Sequence, residues 1–239
     1  MAENAGTQSE NEGGPRSGGE GAQGDSDRGG YLGFVAHEVR NPLSTALWTA
    51  ELLARMAPED RGGPRGEKLT AMCLRSLSRV RQLVEDHFLC ERLDAGGIPV
   101  RPESLAVAEL VASAVAKKPV DPARVLTEVQ DGPATILVDR GLLERALEGV
   151  LAQAGRGEGP VRVESVQQGD RLELRVTGEP PLPNALADPK KGAPSDQKGR
   201  ALALPAARRA MEALGGSLAV RDGSYVLTLR VTGASPQTP

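Results

Sequence analysis

This sequence is short of the residues that usually make a protein easy to read. Aromatics are 2% of its 239 residues, so a core has to be built from Leu, Val, Ala and Ile. There are two histidines and two cysteines. Cys73 and Cys90 lack a CxxC spacing and sit in apolar-periodic sequence, which reads as buried free thiols in a reducing compartment. With so few ligands, no metal site is expected. No apolar run reaches the roughly 18 residues a membrane helix needs. The N-terminus lacks the basic-then-apolar layout of a secretory leader, so a cytoplasmic location is expected. A net charge of −3 gives no general case for nucleic acid or an anionic membrane as partner.

Residues 1–30 carry six acids, two arginines and nine glycines, with almost nothing to bury, and are expected to be a disordered acidic tail. From Tyr31 to about Ala57, Leu32, Val35, Val39, Leu43, Ala46, Leu47, Ala50 and Leu53 recur at helical spacing. APEDRGGPRGE breaks that helix. A second runs from about Lys68 to Asp94, with Leu69, Met72, Cys73, Leu77, Val80, Leu83, Val84, His87 and Phe88 as its apolar stripe. The two helices, over 31–95, form a hairpin. A lone hairpin leaves that stripe half exposed, and dimerisation into a four-helix bundle would bury it.

After AGGIP the texture becomes mixed α and β, over 98–232. Glu103–Lys117 reads as an amphipathic helix, with short strands at Arg124–Gln130 and Thr135–Val138 around a DGP turn. A further helix ends near Ala154. VRVESV and RLELRVT alternate strictly around QQGD, a hairpin signature. Residues 178–198 read as a solvated Pro/Gly/Lys loop containing Lys190, Lys191 and Lys198. A helix from about Arg200 to Leu214 ends at a GG pair. SLAV and SYVLTLRV follow around RDG, and 233–239 should fray.

The chemistry concentrates in HEVRNPL, Phe34 to Ser44 being its setting. An imidazole, with an ordinary pKa of ~6.5, offers a neutral nitrogen nucleophile near neutral pH. A carboxylate next to it, Glu38, can take the proton lost on attack. Arg40 can steady phosphate oxygens, and Asn41 shares the His37 face one turn on. Pro42 removes a helical hydrogen bond and bends the helix. His87 has no such company and reads as a half-buried structural residue. Leu47 and Trp48, below His37, are either bundle core or a partner-facing surface.

HEVRNPL on the first helix of a hairpin, followed by an α/β body, resembles the sensor histidine kinases, whose phosphoacceptor box reads roughly HExRxPL. The resemblance covers nearly all of 31–232. It implies an α+β protein: a helical hairpin dimerising into a four-helix bundle, then a two-layer α/β sandwich of the histidine-kinase ATPase type. It implies that His37 accepts a phosphoryl group, that a polar residue at Asn41 positions a water for dephosphorylating a partner, and that response-regulator receiver domains dock near His37.

The nucleotide boxes of that family are eroded. GVLAQA stands where NLLxNA is usual, so Gly149 and Gln153 replace two asparagines, the second a Mg²⁺ ligand. Mg²⁺ tolerates little departure from octahedral geometry. TGEPPLP stands where DxGxGI is usual. Thr177 replaces the adenine-reading aspartate, and Glu179 and Pro181 replace glycines. In GRALAL, for GxGLGL, only Gly199 survives, and Ala201 and Ala203 add Cβ atoms where backbone should approach phosphate. The expected function is therefore phosphoryl exchange between His37 and a receiver aspartate, with no cofactor. One alternative is an ATP- and Mg²⁺-dependent autokinase with unusual nucleotide contacts. The other is a non-catalytic dimeric module that binds regulators. An upstream sensor protein is expected to supply the signal.

Overall fold

The structure, a computed structural model, describes residues 31–117, 120–129, 135–188 and 201–230, and the backbone of 20–30. The DGP turn, Lys190, Lys191, Lys198, Gly199 and the expected tails at 1–19 and 233–239 lie outside the described residues.

Helix α1 spans Glu20–Arg55 and α3 spans Pro64–Asp94. The short α2, Pro58–Arg61, sits in the turn between them. The helix expected from Tyr31 thus begins eleven residues earlier, inside the expected tail. Extending an existing helix adds one hydrogen bond per residue without a new nucleation cost, so a segment with nothing to bury can still continue one. α1 runs through Pro42, which is buried and whose missing N–H deprives the Glu38 carbonyl of its helical partner. Pro64 opens α3 at its first turn, where a missing N–H costs nothing.

The apolar residues of the hairpin divide between two faces. Val35, Ala46, Leu69, Leu83 and Cys90 are buried. Leu32, Leu43, Leu47, Leu74, Leu77, Val84 and Phe88 remain exposed. Leu77, Val84 and Phe88 belong to the expected apolar stripe of α3 and are the half of it that a lone hairpin leaves open, since α1 and the body cover only the other half. His87 is half-buried between the rings of Tyr31 and Phe88, at centroid distances of 5.7 and 5.8 Å. Both cysteines are free, with Cys90 buried and Cys73 half-buried. Burial pushes the Cys90 thiol up to about 11.

The body holds a five-stranded sheet in the order β2-β4-β5-β7-β6 and a two-stranded sheet, β1-β3. The strands are β1 Glu103–Ala106, β2 Val125–Glu128, β3 Thr135–Val138, β4 Val161–Gln168, β5 Arg171–Thr177, β6 Ser217–Arg221 and β7 Ser224–Arg230. The helices are α4 Val107–Ala116, α5 Arg140–Ala154 and α6 Ala203–Ala213. β4 and β5 alternate as the sequence requires. Val161, Val163, Leu172, Leu174 and Val176 join the core under α5 and α6, and Arg175 and Glu173 pair on the other face. The β6–β7 turn puts Asp222 and Gly223 at φ 49° and 72°, the type I′ geometry that the Asp-Gly pair favours.

Two expectations for the body need correction. The helix expected from Glu103 begins at Val107, because Glu103–Ala106 pairs antiparallel with β3 and buries Leu105. The two strands expected around the DGP turn are present as β2 and β3, in different sheets: β2 pairs parallel with β4, and β3 pairs with β1. Residues Pro183–Leu186 form a 3-10 turn, and Ala185 and Leu186 are buried in the core. That part of the expected solvated loop has apolar side chains that α6 receives, with Arg208 Nε donating to the Leu186 carbonyl at 3.0 Å.

Candidate functional site

His37 stands on α1 with 65% of its side chain exposed, which leaves a ring nitrogen open to an incoming phosphorus. Glu38 is turned toward α3 and is 19% exposed. Its Oε1 lies 3.7 Å from His37 Nδ1, within ion-pair reach and longer than a hydrogen bond. Its Oε2 lies 3.5 Å from Arg79 Nη2, on α3. The structure therefore brings together His37, Glu38 and a cation that the sequence reading did not single out. Arg40 and Asn41 are exposed on the same stretch of helix. The Asn41 carbonyl accepts from Thr45 Oγ1 at 3.2 Å. Trp48 is exposed and returns to the His37 face after about three turns.

The positions of the nucleotide boxes are engaged otherwise. At Gly149, an added Cβ would meet the Ala203 carbonyl oxygen at 2.8 Å, so glycine there lets α6 lie directly on α5. Gln153 is buried on α5. Thr177 Oγ1 is 2.7 Å from Ser224 Oγ, a hydroxyl pair where an adenine-reading carboxylate would stand. Glu179 N donates to the Ala154 carbonyl at 2.8 Å, and Leu182 N donates to the Tyr225 hydroxyl at 3.0 Å. Pro181 is half-buried between them. These bonds fasten the TGEPPLP segment onto the end of α5 and onto β7.

The GRALAL stretch reaches the hairpin. Leu202 is fully buried in a socket of Val35 and Leu83, with Tyr31, Phe34, Val39 and Ala201 packed around it. Val35 and Val39 flank His37 on α1. Two ion pairs span the same junction, Arg145 with the buried Asp86 and Arg209 Nε with Asp94 Oδ1 at 2.7 Å. Burial raises the Asp86 carboxyl above its usual range, and Arg145 opposes that rise. The cleft left between hairpin and body is about 100 Å³, room for about three waters. Gln82, Asp86, Lys117, Arg145, Glu148, Gly149, Ala152 and Ala203 line it. Leu202→Ala is expected to cost roughly 2–5 kcal/mol of this docking, read as a lower denaturant midpoint and faster proteolysis near 95–99. Unchanged unfolding and digestion would remove the wedge role.

Among the described residues no cluster of acidic, histidine or cysteine side chains could hold a metal. Among them, too, no helix is long and apolar enough to cross a membrane.

This arrangement is a helical hairpin presenting a histidine, joined to an α/β body. Residues 27–96 match the His Kinase A (phospho-acceptor) domain. The chain is 32% identical over 130 residues to the sensor protein CseC of Streptomyces coelicolor, covering 54% of this chain and 23% of that one. It is 28% identical over 166 residues to the sensor protein KdpD of Rathayibacter rathayi, covering 67% and 19%. The chain thus spans about a fifth to a quarter of these relatives. The fold matches the histidine kinase AdeS of Acinetobacter baumannii with a TM-score of 0.63 at 16% identity, over 82% of this chain and 98% of that one. It also matches the histidine kinase ThkA, solved in complex with the response regulator protein TrrA, with a TM-score of 0.58 at 17% identity, over 89% and 64%. Residues 27–96 thus carry a phosphoacceptor domain of the His Kinase A type, and the chain as a whole is similar to sensor histidine kinases.

Proposed function

We propose that the chain is a two-component signalling protein in which His37 exchanges a phosphoryl group with a response-regulator aspartate, and that conventional ATP binding has been lost. One observation carries this reading. The exposed His37, with Glu38 beside it, adjoins a body whose nucleotide-box residues are occupied by packing and internal hydrogen bonds.

The transfer balances without a cofactor. The lone pair of an imidazole nitrogen attacks the phosphorus of an aspartyl phosphate. The N–P bond forms as the P–O bond breaks, and its electron pair leaves on the aspartate carboxylate. The ring becomes cationic, and the carboxylate of Glu38 stabilises it or takes its remaining proton. Arg40 is placed to meet phosphoryl oxygens. Asn41 is placed one turn away, where an amide can orient a water for a different outcome, hydrolysis of the partner's aspartyl phosphate to free phosphate.

The nucleotide positions do not fit Mg²⁺ and ATP. Gly149 has no side chain to offer Mg²⁺ and lies directly against the Ala203 carbonyl. Thr177 offers a hydroxyl already paired with Ser224. The remaining role of the body is to hold the hairpin. The exposed Leu32, Leu43, Leu47, Leu74, Leu77, Val84 and Phe88 support a homodimer that buries them in a four-helix bundle. Trp48, on the His37 face, supports receiver docking there. We place the protein in the cytoplasm, with an upstream sensor protein as its source of signal. A phosphorylated receiver domain mixed with the chain is expected to lose its label to His37. Retention of the label across a broad receiver panel contradicts the reading.

A further inference from the structure

We propose that Arg79 is a positioning residue for His37: it holds the Glu38 carboxylate so that one oxygen faces His37 Nδ1 and Nε2 is left as the nucleophile. The inference rests on the reading of His37 as phosphoacceptor.

Helix geometry alone does not set Glu38 beside His37. Adjacent helical residues point about 100° apart, and a glutamate free on a helix surface samples many rotamers. Arg79 supplies the restraint from the facing helix, 41 residues away in sequence. The two oxygens of Glu38 divide their tasks, Oε2 lying 3.5 Å from Arg79 Nη2 and Oε1 3.7 Å from His37 Nδ1. Glu38 and Arg79 are 19% and 20% exposed, so water screens their attraction less than it would a surface pair. His37, by contrast, is largely open to solvent.

The consequence concerns the tautomer. A neutral imidazole has one N–H and one lone pair. A carboxylate fixed on the Nδ1 side favours the proton at Nδ1 and so leaves the lone pair at Nε2. When Nε2 attacks, the ring charge develops next to an anion already in place, the same logic by which an oriented carboxylate serves a catalytic histidine elsewhere. Arg79 meets the Glu38 carboxylate and acts on His37 through it.

The test uses the full chain as wild type, Arg79→Gln, Arg79→Lys and Glu38→Gln. Nitrogen-15 NMR reads the His37 tautomer, and label transfer from a phosphorylated receiver domain reads the chemistry. In the wild type the Nδ1–H tautomer of the neutral ring is expected to predominate. Arg79→Gln is expected to move the population toward Nε2–H and to slow transfer roughly tenfold, a part of what a positioned proton acceptor supplies. Arg79→Lys should recover part of both, and Glu38→Gln should show the same tautomer shift even if Arg79→Gln folds poorly. An unchanged tautomer in folded Arg79→Gln, or in Glu38→Gln, overturns the proposal, whatever happens to the rate. A shifted tautomer in a wild-type chain that accepts no phosphoryl group would uphold the orientation by Arg79 and overturn the phosphoacceptor reading instead.

Discussion

His37→Gln is expected to abolish phosphoryl acceptance, by more than about 10³-fold, while leaving the fold in place. The magnitude follows from removing the nucleophile itself, the change that non-additive catalytic groups tolerate least. The structural cost is small because the imidazole is mostly exposed, and surface substitutions of this kind stay within about 0.5 kcal/mol. Label counting after incubation with a phosphorylated receiver, next to a thermal melt of the same sample, separates the two effects. Substantial label on the glutamine variant would move the acceptor elsewhere. His87 is the one other histidine in the chain, and it is half-buried between Tyr31 and Phe88.

The second large effect is an absence where a conventional kinase would show a shift. A ligand at 100 times its dissociation constant stabilises a native protein by about 2.7 kcal/mol. For a chain of this size that is roughly 5–10 °C of melting temperature. ATP with Mg²⁺ is expected to leave the melting temperature unchanged. The reasons are local: α6 lies against Gly149, Thr177 is bonded to Ser224, and Leu182 N is bonded to the Tyr225 hydroxyl. Leu202, seated against Val35 and Leu83, also ties the body to the hairpin. A rise of several degrees, saturating with ATP, would restore the autokinase reading.

Much of this was legible in the sequence, where local rules decide. Helical periodicity marked α1 and α3, strict alternation marked β4 and β5, and Gly215–Gly216 and Asp222–Gly223 marked their turns. The phosphoacceptor box was legible because its residues are contiguous. The misreadings share a cause, since each depends on which surface a segment meets. Glu103–Ala106 carries a pattern that either helix or strand accepts at four residues, and pairing with β3 decides it. Pro183–Leu186 has the composition of a loop, yet Ala185 and Leu186 find a place against α6. The stripe of α3 did not say which of its apolar residues face α1 and which stay open on a lone hairpin, as Leu77 and Phe88 do. Arg79 carried no local signal. An arginine on a helix normally reads as a solvated charge, and only the packing of α1 on α3 brings it to Glu38. Leu202 had a signal, an apolar residue in a box that keeps only its first glycine, but its socket is built from two distant helices.

The source of the phosphoryl group is the centre of this account, and a paired labelling measurement tests it most directly. Purified chain is incubated with γ-labelled ATP and Mg²⁺ and, separately, with a phosphorylated receiver domain, and acid-labile label on His37 is counted in each. Label from the receiver and none from ATP is the expected result. Label appearing on His37 from ATP would contradict it.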